Sequence, residues 1–216
     1  MDVAVTEPPP RTLGLRDRKK IKLRETILQS ADRLFAQNGY EKTTLERICD
    51  DAETSLRTLL RYFPTKEDLA FGREMLVIEE ATQTFASLDP SVSVIEFWRE
   101  RMSHVRATQD RKAFLAHVKL IGSAPALEAK MLSLQVRYED MLARAFAKEA
   151  GVDPEHDLYG RLLAGLLIAG NRAATRQWAA SNGKLDLHEL RMAVIDWAIE
   201  NFPPRPAAKR AARKSA

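Results

Sequence analysis

Cysteine is almost missing from this chain. Cys49 is the only one in 216 residues, so no disulfide can form within the chain and no cysteine cluster can hold a metal. Glycine is scarce, at nine. Six of the ten prolines (Pro8, Pro9, Pro10, Pro203, Pro204, Pro206) sit in two tails, and the other four, Pro64, Pro90, Pro125 and Pro154, stand far apart. Few turn formers between long stretches of 3.6-residue apolar periodicity point to an all-helical protein. No apolar run reaches the roughly 18 residues of a membrane span. The acidic, proline-rich first ten residues lack the charged-then-apolar order of a secretory leader. A cytoplasmic protein that makes no membrane contact is the expectation. The composition, 45% hydrophobic and 30% charged, suits a globular fold with a sizeable core.

The net charge of +4 is unevenly spread. Residues 11–24 carry seven basic groups and one acid, and the tail 205–214 carries five basic groups and no acid, which leaves −7 on the rest. Basic ends on an acidic body suit a polyanion that touches the ends and avoids the middle. Solubilising tails leave the same signature, and for the C-terminal segment that is the simpler reading.

The apolar stripe Ile27, Leu28, Ala31, Leu34, Phe35 predicts a helix over 20–38, with Gly39 closing it. Thr43 with Glu46 three residues on forms the pattern of a capping box, opening a helix over 44–51 that buries Leu45, Ile48 and Cys49. Ser55 can cap a further short helix to about Tyr62, with Leu59 and Phe63 inward. Pro64 breaks the chain, and Thr65 with Asp68 caps the next helix. Two helices of about eight residues joined by a turn of about three are the pattern of a helix-turn-helix. Beyond it the pattern predicts helices over 66–88, 94–107, 111–121, 125–150, 154–181 and 187–201, about nine in all.

The segment Ile27-Leu28-Gln29-Ser30-Ala31-Asp32-Arg33-Leu34-Phe35, with Asn38-Gly39-Tyr40, Thr43-Thr44, Ile48, Ala52, Ser55, Thr58-Leu59 and Arg61-Tyr62-Phe63-Pro64-Thr65-Lys66-Glu67-Asp68-Leu69, closely resembles the TetR family of bacterial regulators. The resemblance implies a three-helix DNA-binding head on a larger helical body. That body pairs through its last two helices and often holds a small molecule, whose binding moves the helix that begins at Lys66. The resulting division is a disordered tail over 1–15, the head over 16–65, an effector-binding and dimerisation domain over 66–203 and a basic disordered tail over 204–216. Two positions depart from the family. Glu53 stands where the turn usually has glycine; a glutamate is strained at positive φ, so a different turn type is the expectation. Leu60 stands where a DNA-touching tyrosine is usual.

In such a head the second helix enters the major groove N-terminus first. Ser55, Leu56, Arg57, Thr58, Leu60 and Arg61 are then the outward positions. Arg57 is the candidate base reader, because a guanidinium matches guanine O6 and N7. Leu56 and Leu60 suit thymine methyl groups, unless one of them packs into the head's own core. Thr44 and Lys66 match the family's usual phosphate-binding positions. Tyr62 either reaches a phosphate or packs inward, and Arg18, Lys19 and Lys20, with Arg16 and Lys22, suit an arm along the backbone or the adjacent groove.

The helix over 158–181 is apolar nearly all round, so one side suits its own core and another a second copy. Leu162, Leu166 and Ala169, with Leu190, Val194 and Trp197 on the last helix, are the candidate homodimer residues. A two-fold dimer matches two half-sites, hence a palindromic double-stranded operator. Phe85, Trp98, Met102, Phe114, His117, Met131, Tyr138, Met141 and Leu142 are candidates to line a pocket for a small hydrophobic effector; each also suits ordinary core packing. No cofactor or metal is expected. No nucleophile elbow, phosphate-cradling glycine loop or His-Glu-x-x-His pattern supports an enzyme. The alternative is a helical interaction module whose head no longer binds DNA, for which Glu53 and Leu60 speak.

Overall fold

The computed structural model describes residues 14–89, 91–108 and 110–202. These form ten helices: α1 Leu15–Asn38, α2 Leu45–Asp51, α3 Leu56–Tyr62, α4 Lys66–Ala70, α5 Gly72–Ser87, α6 Val94–Thr108, α7 Arg111–Ile121, α8 Pro125–Ala150, α9 Leu158–Ala180 and α10 Leu187–Asn201. No strand occurs among the described residues. The chain divides into two compact units, one through Ala70 and one from Phe71. The first therefore includes α4, where the sequence reading closes the head at residue 65. Of the two expected tails, Leu15 is already helical, and 1–13 and 203–216 lie outside the described residues.

The first unit is built on the predicted stripe. Ile27, Leu28, Ala31, Leu34 and Phe35 of α1 are buried together with Ile48 and Cys49 of α2, Leu59 of α3 and Leu69 of α4. Helix α1 packs on α2 and α4, and α2 on α3. Each fully buried Ile or Leu contributes roughly 1.5–3 kcal/mol relative to an exposed one. In the second unit the long helices α8, α9 and α10 pack side by side, with α5 and α6 against them and α7 across α8 and α9. Its core includes Phe85, Ile95, Trp98, Leu142, Phe146, Leu163, Leu167 and Ile195.

Several predicted boundaries shift. Thr44, not Thr43, caps α2: it is extended (φ −97, ψ 157) and its hydroxyl accepts from Arg47 N. Thr43 is buried, and its hydroxyl lies 2.8 Å from Gly39 O and 3.1 Å from Leu34 O. A buried hydroxyl goes to an acceptor, here the end of α1, and is lost to capping. The helix predicted over 66–88 is two helices, because Phe71 leaves helical geometry (φ −106, ψ 18) and starts α5 afresh at Gly72. The helix predicted from 154 starts at Leu158, since Asp157 rather than Asp153 caps it, accepting from Gly160 N. Asp153 instead organises a turn, accepting from Glu155 N at 3.0 Å.

The turn at Glu53 keeps the glycine-like geometry. Its φ is +48, Thr54 N donates to Cys49 O at 2.9 Å and Glu53 N to Asp50 O at 3.3 Å. That pair of bonds is a Schellman closure of α2 with a left-handed residue at its centre. The expectation of a different turn type is therefore wrong: the bonds that close α2 hold the glutamate in place.

Candidate nucleic-acid interface

Helix α3 is set by its cap and two inward anchors. Ser55 is extended (φ −89, ψ 151), and its Oγ accepts from Thr58 N at 3.2 Å and lies 2.9 Å from Thr58 Oγ1. Leu59 and Phe63, four apart, are fully buried. Helical geometry then turns Leu56, Arg57, Leu60 and Arg61 outward, and all four are exposed. Leu56 and Leu60 are each 37% exposed, so neither packs into the core. The exposed face of α3 thus carries two guanidiniums beside two leucines, with Ser55 exposed at its start and Thr58 half-buried.

Tyr62 is half-buried, and Arg61 Cζ lies 5.4 Å from its ring centroid. Thr44 is exposed at the start of α2; its oxygen serves the cap, which leaves the hydroxyl proton to give. Arg18, Lys19 and Lys20 lie exposed on the first turns of α1, where Leu15 and Ile21 are also exposed.

Lys66 belongs to a cluster that sequence reasoning missed. Its Nζ stands 4.1 Å from the ring centroid of Tyr40, within cation–π range. The Tyr40 hydroxyl donates to Glu67 Oε1 at 2.5 Å. Burial, followed by that bond, pushes the Tyr40 phenol up, and the same bond holds the Glu67 carboxyl below the ordinary range. The ring of Tyr40, packed on Phe35 with centroids 5.5 Å apart, is thus a platform for the lysine. The signal was an aromatic residue just after Gly39 and an acid beside Lys66, far apart in sequence. Nearby, Arg24 Cζ stands 5.2 Å from the Phe63 ring centroid, and Arg33 pairs with Asp51. The Ser30 hydroxyl, then Arg33, holds the Asp51 carboxyl low. Cys49 is buried, and burial pushes its thiol up, the opposite of a nucleophile's environment.

In the second unit the expected pocket residues fall into two groups. Phe85, Trp98, Met141 and Leu142 are core residues, with Met102 and Tyr138 packed against them. Burial pushes the Tyr138 phenol up to about 12. Phe114 and His117 lie on α7: Phe114 stacks on Trp178 with centroids 5.5 Å apart, and His117 Nε2 is 2.7 Å from Glu74. Met131 is half-buried on α8. None of the nine lines the narrow slot among Ile95, Phe146, Tyr159, Leu163 and Phe202, which has a volume of about 20 Å³ and is no roomier than one water needs. Of the expected dimer residues, Leu162, Ala169 and Trp197 are exposed, Leu190 is half-buried, Leu166 packs partly on the core and Val194 lies against Gly170 of its own chain. Among the described residues no group of three or more His, Cys, Asp or Glu could hold a metal ion, and no helix is long and apolar enough to cross a membrane.

Residues 27–71 match the profile of the family described as bacterial regulatory proteins, tetR family, and residues 77–202 match that of the MftR C-terminal domain. The HTH-type transcriptional regulator TcmR of Streptomyces glaucescens is 30% identical over 94% of this chain and 95% of its own length. The HTH-type transcriptional regulator RutR of Escherichia coli is 28% identical over 72% of this chain and 77% of its own. Among solved structures, the SmeT–triclosan complex superposes with a TM-score of 0.63 at 16% identity, covering 87% of this chain and 96% of its own. Salmonella enterica GusR does so at 0.57 and 22%, covering 84% and 96%. The helix-turn-helix, the helical unit that follows it in the chain and a relative matched along nearly its whole length make this chain a member of the tetR family of DNA-binding transcriptional regulators.

Proposed function

We propose that the protein is a homodimeric repressor that holds a palindromic operator through α3 and lets it go when a small molecule enters the helical body. The observation that carries the reading is the α3 surface, where Arg57 and Arg61 stand exposed beside two outward leucines on a helix fixed from behind by Leu59 and Phe63. A guanidinium gives paired hydrogen bonds to guanine, and the leucines give apolar contact to thymine methyls. Leu60 removes a hydrogen-bonding phenol from the family pattern but leaves this apolar contact. Thr44, Lys66, Tyr62 and the basic start of α1 take the phosphates, which fixes register without reading sequence. A relative in Corynebacterium diphtheriae, 24% identical over 59% of this chain, is the transcriptional repressor AcnR, which favours repression. Proteins of the same fold hold triclosan, stearoyl-CoA or choline, which favours a ligand-responsive body.

The test is binding of the full chain to an operator selected from random duplexes, beside a scrambled duplex, at several salt concentrations. Arg57→Ala loses about 1–3 kcal/mol on the operator and little on the scrambled duplex. Lys66→Ala weakens both alike and lowers the salt slope by about one. Equal losses on both duplexes for both variants would remove the division of roles. A chain that selects no duplex at low salt is an interaction module instead.

A further inference from the structure

Arg191 is a buried cation with no anion beside it among the described residues. It lies on α10 in line with Ile195 and Ala198, the inward stripe of that helix, and is only 9% exposed. Its guanidinium stands 5.7 Å from the ring centroid of Phe114 on α7, and Phe114 in turn stacks on Trp178 of α9. Its Nε finds no hydrogen-bond partner among the described residues. Burial alone lowers its pKa, to about 10, and no neighbouring charge contributes. At neutral pH the group therefore remains protonated. Two more buried polar atoms on this helix pair lack partners among the described residues, Asn171 Oδ1 on α9 and His188 Nδ1 on α10. A buried guanidinium without a counter-charge is strongly disfavoured unless something supplies one. Arg191 lies on the inward face of α10 and Trp197 on the outward one, so a group that meets the guanidinium reaches it on the side that α7 and α9 cover.

We infer that Arg191 is the anchor of a binding site for a small organic carboxylate, seated between α7 and the α9–α10 pair with its apolar body against Phe114 and Trp178. The inference rests on reading the helical body as an effector domain and narrows the effector from hydrophobic to amphipathic and acidic. A carboxylate matches the guanidinium fork with two parallel hydrogen bonds, and the aromatic pair offers the flat apolar wall a small ligand needs. The way in is over α7. No side chain of that helix is fully buried, so it opens more readily than the helices beneath it. Its start is tied down by Arg111, which donates to Gly183 O and Leu185 O, and its end by Lys119, which donates to Asn182 Oδ1 at 2.7 Å.

The experiment measures the melting temperature of the full chain at fixed ionic strength with acetate, benzoate, 1-naphthoate and decanoate. Each is compared with its neutral amide, and inorganic phosphate serves as a separate arm. A ligand that binds only the folded state raises stability by mass action. At least one carboxylate is expected to raise the midpoint several degrees above its amide. Arg191→Met, which keeps the apolar stem, is expected to melt no lower than wild type without any anion and to lose the carboxylate preference; Arg191→Lys keeps part of it. The assignment is overturned if no carboxylate outdoes its amide, if phosphate does as well as the carboxylates, or if the preference survives in Arg191→Met. An Arg191→Met chain that is much less stable in plain buffer also overturns it, because the guanidinium then has a partner within the protein. Operator binding is measured separately on the same chains. A carboxylate preference without operator binding leaves the site standing and removes the regulator reading; operator binding without the preference does the reverse.

Discussion

The Tyr40 hydroxyl ends on Glu67 Oε1 at 2.5 Å while its ring lies 4.1 Å from Lys66 Nζ, so one side chain touches both charges at the start of α4. Tyr40→Phe keeps the ring and removes the bond, at an expected loss of about 1 kcal/mol at neutral pH. The bond depresses the Glu67 carboxyl in the folded state. A depressed acid contributes stability above its unfolded pKa, about 4.3 for glutamate, and that stability is lost as pH falls through the lower folded value. The gap between wild type and Tyr40→Phe in urea denaturation is therefore full at pH 7 and closes at pH well below 4. A gap that stays constant to pH 3 assigns the loss to packing instead. Glu53 is the opposite case, a residue kept at φ +48 against its own preference. A side chain in the left-handed region costs about 1–2 kcal/mol. Part of that is returned by the freedom glycine adds to the unfolded chain. Glu53→Gly is expected to stabilise by about 0.5 kcal/mol net, read as a higher melting temperature, while Glu53→Ala gives no gain. A lower midpoint for the glycine variant would mean that the glutamate side chain has a partner worth more than the strain.

At the level of the helix, what could be read from the sequence was whatever the local chain decides alone. The caps at Ser55 and Asp186, the Thr65–Asp68 pair and the α1 stripe all depend on neighbours within a few residues, and all form as expected. The misreadings occur where a distant group decides. Thr43 is drawn from capping to the carbonyls that end α1. The break at Phe71 follows a residue that is wholly buried and leaves no mark in the periodicity. Lys66 was legible as a phosphate candidate, but its platform on Tyr40 was not, since they lie 26 positions apart. Close packing of α9 on α10 was equally hidden. A Cβ placed on Gly170 would stand 2.3 Å from Val194 Cγ1, so the two helices touch through the missing side chain. Gly170→Ala gains helix propensity of up to about 1 kcal/mol but must push α10 away, and overpacking of this kind costs about 1–3 kcal/mol. A net loss of about 1 kcal/mol is expected. In a Val194→Ala background both γ-methyls are gone and only the Cβ remains, 3.3 Å from the added Cβ, so a small shift suffices and the same change becomes stabilising. This sign reversal in a double-mutant cycle is the result that identifies the contact; additive losses would place the cause elsewhere.

At the scale of the whole protein, the charge layout and the surface of the second unit bear on the same question. An acidic body with basic ends suits a duplex touched only at those ends, and two copies acting together on one operator then gain far more than one. The outward faces of α9 and α10 hold what a second copy would cover: Leu158 is 69% exposed, Leu162 55% and Trp197 50%. Leu158 and Leu162 are one helical turn apart, with exposed Ala169 continuing the line, whereas Leu166 and Val194 spend part of their surface inside their own chain. On the proposed homodimer, these large apolar groups on helices that also build the core are the surface that the second copy covers. Leu162→Glu together with Trp197→Glu should leave the helical content nearly unchanged, because both side chains are exposed on the single chain, while melting becomes independent of protein concentration as pairing is lost. The pair should turn a dimer into a monomer in sedimentation. Operator affinity should then fall by two orders of magnitude or more, while binding to a single half-site changes little. A double variant that still sediments as a dimer would move the interface off this face, and one that sediments as a monomer yet grips the full operator as before would show that pairing is not what the DNA contact needs.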